Sequence, residues 1–157
     1  MGRGMRSAVG LLAWTALCFA AAWFGARYAP GPGYEQLIKP AWTPPPWLFA
    51  PVWTALYLMM ALAAWLVWLP EGMVAARRPL GLFLLQLVLN GLWSWLFFGL
   101  QRRGIAFADV LLLWCAILAT AVAFWGRRPL AGLLLVPYLL WVGFAAALNL
   151  AIWRLNM

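Results

Sequence analysis

Apolar residues fill five long runs of the sequence, and the polar residues between the runs are confined to short breaks. The runs cover residues 7–28, 47–69, 79–100, 104–125 and 129–153. Each run is long enough that, as an α-helix, it spans about 33 Å and can cross a hydrocarbon core of about 30 Å. The pattern therefore predicts an all-α integral membrane protein, in which residues 1–157 form one bundle of five transmembrane helices.

The breaks between the runs contain residues that end helices. The sequence PGPG at residues 30–33 cannot continue a helix, and PEG, RRP, RRG and a second RRP mark the other turns. Because most connections have only a few residues, neighbouring helices are expected to run antiparallel. The first connection, residues 29–46, is the exception and is the only one long enough to carry a functional site.

Composition indicates that lipid surrounds most of the chain. Hydrophobic residues make up 68% of the sequence and charged residues 9%, whereas soluble domains have about 25% charged residues. The net charge of +8 comes from Arg and Lys between the runs and near the chain ends, which indicates contact with anionic headgroups rather than nucleic acid. These cations divide almost evenly between the two sides, so the orientation stays undetermined.

Few residues could support acid–base or metal chemistry. The chain has no His, two Cys and three carboxylates, so we expect no metal site, and a Ser-His-Asp triad is impossible. Cys18 and Cys115 lie inside apolar runs and are interpreted as packing residues. For Asp109, an interaction with the positive end of its helix, with Arg102 or Arg103 nearby, is favoured over a proton or cation relay.

Two runs carry distinctive helical faces. In the third run, Gln86, Asn90 and Ser94 recur every four residues and form a polar stripe that must face protein, water or a ligand. Periodicity alone favours hydrogen bonds between helices. In the fifth run one face combines a large aromatic residue with small and amide residues, and it predicts either a ligand recess or close helix packing. The residues of that face are Trp141, Phe144, Ala145, Leu148 and Asn149.

Together with Trp53 and Tyr57 in the second run, these faces suit a flat, apolar ligand with a few polar edges. The chain also resembles the translocator protein (TspO/MBR) family of tryptophan-rich sensory proteins. The matching stretches keep the family's order and spacing between residues 34 and 156: YEQLIKPAWTPPPW, PVWTALY, QLVLNGLWSWLFFGLQ, FADVLLLW, VPYLLW and AALNLAIWRLN. The resemblance implies a five-helix bundle whose cavity opens toward the first loop, with that loop acting as a lid.

The resemblance implies a membrane receptor or transporter that binds porphyrins, such as protoporphyrin IX, and flat benzodiazepine-type drugs, in stress or tetrapyrrole regulation. No cofactor is required, because the porphyrin is a ligand or a substrate. The alternative is an enzyme that degrades porphyrin in light and oxygen, with Trp53 and Trp141 as candidate catalytic residues. The implied partners are the porphyrin, membrane lipid and a second copy of the chain, in a bacterial membrane equivalent to the mitochondrial outer membrane.

The resemblance also shifts the interpretation of Gln86 and Asn90 from helix packing towards ligand contact. The expected ligand-binding residues are Tyr34, Trp42, Trp53, Tyr57, Gln86, Asn90, Trp93, Trp141, Phe144, Ala145, Leu148 and Asn149. The sequence departs from the family at three places. Gly33 stands where many members have Trp, and the Tyr of the animal cholesterol motif is missing near Leu150. Leu85 interrupts a GxxxG motif that could support a homodimer.

Overall fold

The computed structural model describes residues 2–28 and 30–157, which form helices and no strand. Five helical stretches are long and apolar enough to cross a membrane: Gly4–Ala26, Pro46–Ala75, Arg77–Gly99, Arg103–Trp125 and Pro129–Leu155. They confirm the all-α, five-helix architecture, and each overlaps one of the predicted runs. Residue 29, the first of the expected lid loop, lies outside the described residues.

The elements follow one another with short connections. In chain order they are α1 (Arg3–Ala26), α2 (Pro32–Glu35), α3 (Phe49–Ala75), α4 (Arg77–Ser94), α5 (Arg103–Trp125), α6 (Pro129–Leu134) and α7 (Val136–Leu155). A 3₁₀ turn at Pro46–Leu48 precedes α3, and a π-helical segment at Trp95–Gly99 extends α4. The fifth span divides into α6 and α7 near Pro137, which has no N–H with which to continue the hydrogen bonds of α6.

The break that PEG predicts after the second run appears as a kink. Helical structure continues to Ala75, with Pro70 inside it and Gly72 at a φ of 74°. A positive φ of this kind is accessible to glycine at little cost, so Gly72 permits the change in direction. At this end of the bundle an ion pair joins Glu71 to Arg127, linking the kink to the connection between α5 and α6.

The most extensive helix contacts are those of α4 with α5, α1 with α3, and α5 with α7. Gly10 allows α1 to approach α3, because a Cβ atom there would overlap the ring of Trp68. Towards the end of the bundle that carries the Glu71–Arg127 ion pair, Phe83 stacks on Phe124 with 5.8 Å between the ring centroids. A smaller apolar cluster, which includes Tyr34 of the first loop, occupies the end of the bundle that this loop covers.

Candidate functional site

Residues 30–45 cross one end of the bundle and are attached there by exposed contacts. Asn156, at the end of α7, is the anchor: its Oδ1 accepts from the Ile38 N–H at 3.0 Å, and its Nδ2 donates to the Ile38 carbonyl at 2.9 Å. Within the loop, the Lys39 ammonium lies 4.7 Å from the centre of the Tyr34 ring. The loop is therefore closed over the bundle, but its polar attachments remain accessible to water or headgroups.

Two aromatic rings of the loop rest on the bundle. Tyr34 packs on Phe97 and Phe98, with 6.2 Å and 5.4 Å between ring centroids. Trp42 meets Phe144 edge-on at 5.7 Å and is 50% exposed. Burial raises the pKa of the Tyr34 phenol above its ordinary value of about 10, so this ring is uncharged at physiological pH.

Beneath the loop lies an apolar pocket of about 30 Å³. Its walls come from the loop, the start of α3, the end of α4 with the π-helical segment, and α7. The lining residues are Tyr34, Phe49, Trp93, Phe97, Phe98, Trp141, Phe144, Ala145, Leu148, Asn149 and Ile152. Pockets for drug-sized ligands commonly have about 300–1,000 Å³, so this one is closed around a space for roughly one water molecule.

Two polar side chains of the pocket, Trp93 and Asn149, are hydrogen-bonded to the protein itself. Trp93 donates from its indole Nε1 to Asn149 Oδ1 at 3.0 Å, and Asn149 Nδ2 donates to the backbone carbonyl of Arg103 at 3.0 Å. These bonds join α4, α7 and the start of α5. With the indole N–H and the amide engaged, the surface that the pocket presents is mainly aromatic and aliphatic.

A separate network of buried hydrogen bonds joins α3, α4 and α7. Tyr57 donates from its hydroxyl to Asn90 Oδ1 at 2.7 Å, and Asn90 Nδ2 donates to the Tyr138 hydroxyl oxygen at 2.8 Å. The Tyr138 hydroxyl in turn donates to Gln86 Oε1 at 2.9 Å. No member of this network is more than 5% exposed, and none lines the pocket.

The expected site residues thus divide between two regions. The pocket brings together Tyr34, Trp93, Trp141, Phe144, Ala145, Leu148 and Asn149, and Trp42 adjoins it through Phe144. The network contains Tyr57, Gln86 and Asn90. Trp53 belongs with the network, because its ring lies 5.6 Å from Tyr57 and 6.2 Å from Tyr138. That the network residues contact a ligand stays a prediction. The hydrogen bonds of Gln86 and Asn90 to side chains on other helices agree with the helix-packing role that their spacing favoured.

Sequence reasoning missed several residues of both regions. Tyr138 lies one turn before Trp141 on the same face of α7, so its spacing could have identified it. Phe97 and Phe98 were harder to place, because the π-helical segment changes the helical register after Ser94. Phe49, at the start of α3, gave no periodic signal.

Asp109 is buried on α5, and the ion pairs of the described residues include none between Asp109 and Arg102 or Arg103, the arginines expected nearby. Its Oδ2 atom has no hydrogen-bond partner in that part of the chain. Asp109 is the seventh residue of α5 and lies beyond the first turn, where the positive end of the helix acts most strongly, so the interaction that the sequence favoured is weak.

Comparison with known proteins adds the evolutionary context. Residues 14–154 match the model of the TspO/MBR family. The tryptophan-rich protein TspO of Chlorobaculum tepidum is 45% identical over 145 residues, covering 89% of this chain and 91% of that protein. The translocator protein of Homo sapiens is 43% identical over 137 residues, covering 84% and 81%. The tryptophan-rich sensory protein of Cereibacter sphaeroides is 42% identical over 145 residues, covering 92% and 90%.

These matches extend over nearly all of the five apolar helices, from α1 to the end of α7. The helices are therefore the spans of a multi-pass integral membrane protein. The loop-covered pocket and the buried network both lie within the matched residues. The chain belongs to the TspO/MBR family.

Proposed function

We propose that this protein is a membrane receptor or transporter that binds a flat tetrapyrrole of the porphyrin class in the pocket beneath residues 30–45. The observation that supports this proposal is the chemistry of the lining, which is predominantly aromatic with the indole of Trp93 and the amide of Asn149 as its polar points. Aromatic rings stack favourably on a conjugated macrocycle. The polar edge of such a ligand would face the loop and the headgroup region.

In this proposal the pocket opens when the ligand enters. A space of about 30 Å³ is far smaller than a porphyrin, so part of the wall has to move. The loop is the part most easily displaced, because exposed bonds to Asn156 and the ring contacts of Tyr34 and Trp42 hold it. An intramolecular hydrogen bond contributes only about 0.5–1.5 kcal/mol. The prolines at residues 44–46 restrict φ, so the loop would move as a stiff segment.

A titration of purified protein with protoporphyrin IX, followed by tryptophan fluorescence, tests the proposal. We expect saturable quenching at low micromolar concentration, with one porphyrin bound per chain, because Trp93 and Trp141 border the ligand. Tryptophanamide in the same detergent provides the control for non-specific quenching. A non-planar linear tetrapyrrole of similar mass should bind several-fold more weakly, since it cannot stack across the lining. Linear quenching equal to that of tryptophanamide would contradict a defined site.

A second candidate function is the degradation of porphyrin in light and oxygen. The position of Trp141 favours it, since the indole lines the pocket, 5.7 Å from the Phe144 ring, where a macrocycle would stack. In the light-driven step the excited porphyrin would accept one electron from the indole and pass it to dioxygen, so that an indole radical cation and superoxide form as an oxidising pair. Absorption spectra of the complex, recorded after illumination and after equal time in the dark, distinguish this reaction from binding alone.

A further inference from the structure

A second cavity, of about 330 Å³, opens between the start of α5 and the end of α7. It lies at the end of the bundle that the loop covers, because Asn156, which anchors the loop, also lines this cavity. It shares no lining residue with the aromatic pocket. The two spaces are therefore distinct, and a ligand in this cavity would not touch a porphyrin bound in the aromatic pocket.

The cavity has a strongly cationic lining. Arg102 and Arg103 both contribute to it, and no Asp or Glu side chain does. The Arg103 Nε atom is buried and has no hydrogen-bond partner in the described part of the chain. The one ion pair found there joins Arg127 to Glu71 at the other end of the bundle, so neither guanidinium is neutralised by a side chain. An oxyanion bound beside these two arginines would supply acceptors for their guanidinium N–H groups.

The backbone just before α5 has an uncommon conformation, and it positions the two arginines. Gln101 has a φ of 55°, in the left-handed region that residues other than glycine rarely adopt. The next residue, Arg102, donates its N–H to the Leu96 carbonyl at 2.9 Å and so fixes the turn to the π-helical segment. Backbone strain of this kind persists where the surrounding structure maintains it, often at functional sites.

Two further features shape the cavity. A Cβ atom at Gly104 would lie 2.8 Å from the Trp153 ring, so glycine lets this ring lie directly against the start of α5. The first turn of α5 has no acidic residue and no side-chain cap. Its free N–H groups therefore add positive partial charge to that of the two arginines.

We propose that this cavity binds the phosphate group of an anionic phospholipid. Guanidinium groups donate paired hydrogen bonds to phosphate oxygens, and the residues that line the cavity include two arginines. Trp153 stands near the end of the fifth span, where tryptophan commonly marks the headgroup level. Ile105 and Met157, which are 56% and 84% exposed at the cavity rim, provide apolar surface for acyl chains. A free phosphate ester has the same oxyanion but would leave that apolar surface unused.

Native mass spectrometry of the full chain, released from micelles with equal amounts of phosphatidylglycerol and phosphatidylcholine, tests the proposal. We expect the protein to retain phosphatidylglycerol with a preference of about tenfold, and Arg102→Gln/Arg103→Gln to reduce it to about twofold or less. Arg77→Gln/Arg78→Gln is the matched control, because this adjacent pair also begins a helix but lies at the opposite end of the bundle. The control should keep the wild-type preference.

An equal loss in both double variants would show general attraction between charges and overturn the proposal. Inorganic phosphate is titrated as a competitor and should displace the lipid only at millimolar concentration. Displacement at micromolar concentration would instead identify a free phosphate ester as the ligand and overturn the lipid assignment. If circular dichroism shows that the double variant does not fold, the single variants Arg102→Gln and Arg103→Gln are used for the same lipid measurement. Each should lower the preference about threefold, and no change in either would overturn the proposal.

Discussion

The buried network and the aromatic pocket both use side chains of α4 and α7. They differ in whether those side chains leave space that a ligand could occupy. In the network, the hydroxyl of Tyr57 and the amides of Asn90 and Gln86 have partners within the bundle, and none of these residues lines the aromatic pocket. In the pocket, aromatic rings border an unfilled space that a loop closes through exposed contacts. A satisfied network stabilises one arrangement of helices, whereas a loosely closed apolar space can admit a ligand.

A polar residue within a membrane helix therefore does not by itself identify a ligand site. Amides inside the hydrocarbon region are costly and must be satisfied, but neighbouring helices can satisfy them as well as a ligand can. The useful criterion is whether a polar group already has its partners. By that criterion Asn90 stabilises the bundle, and the residues around Ala145 are the ones we propose as the binding surface.

The largest expected effect concerns the network. Asn90→Leu removes the partner of both Tyr57 and Tyr138 and leaves two buried hydroxyl groups with fewer hydrogen bonds. We expect the free energy of unfolding in detergent to fall by about 1–3 kcal/mol. The protoporphyrin affinity of the folded fraction should stay within about twofold, a difference of about 0.4 kcal/mol. Denaturant unfolding and fluorescence titration of the same preparation measure both quantities.

The opposite result for Asn90→Leu would contradict the division between the two regions. If the affinity for protoporphyrin fell strongly while the free energy of unfolding was unchanged, Asn90 would contact the ligand, as the family resemblance implies. Ser94→Ala is a suitable control on α4, because Ser94 lies against Gly25 of α1 and outside both regions. It should change neither quantity.

A smaller effect is expected where the loop is anchored. Asn156→Ala removes both hydrogen bonds to Ile38, which should make the closed position less favourable by about 1–2 kcal/mol. The association rate of protoporphyrin, measured by stopped-flow quenching, should therefore rise by about five- to thirtyfold. Arg154→Ala, an exposed change on the same turn of α7, should leave the rate unchanged. An unchanged rate in Asn156→Ala would show that entry does not require the loop to open.

The smallest expected effect separates the two candidate redox tryptophans. Trp141 lines the pocket, whereas Trp53 packs against the network tyrosines. If illumination converts bound protoporphyrin, Trp141→Phe should slow the conversion by about threefold, a barrier change of about 0.6 kcal/mol. Trp53→Phe should change it less, because its indole does not border the ligand. The decay of porphyrin absorbance under constant light measures both rates, and a larger effect of Trp53→Phe would contradict this assignment.

The five spans could be predicted from the sequence because the membrane imposes a simple rule. A helix that crosses lipid needs a long apolar run, and the runs here are separated by prolines, glycines and paired arginines. The structure at the breaks between the runs was harder to predict from the sequence. Pro70 suggests an end to the second helix, but Gly72 lets the chain kink and continue to Ala75. Whether a proline ends or bends a helix depends on packing around it, which the sequence does not display.

The site was only partly predictable for related reasons. The face of α7 from Trp141 to Asn149 follows regular helical spacing, so the sequence placed its residues together. The spacing of Gln86, Asn90 and Ser94 identified a polar stripe on α4. It could not identify the partners of Asn90, because they lie on other helices. The anchoring of Ile38 by Asn156 joins residues 118 positions apart, and no local pattern indicates such a contact.

The most direct test of the central claim is to fill the pocket without changing the network. Ala145→Phe places a ring in the space of about 30 Å³, whereas Ala147→Phe makes the same substitution on the exposed side of α7. Protoporphyrin titrations of both variants and the wild type, followed by tryptophan quenching, give the affinities. We predict that Ala145→Phe weakens binding at least about tenfold, or about 1.4 kcal/mol, while Ala147→Phe binds as the wild type does. Equal affinities in all three proteins would contradict the claim that the loop-covered pocket is the binding site.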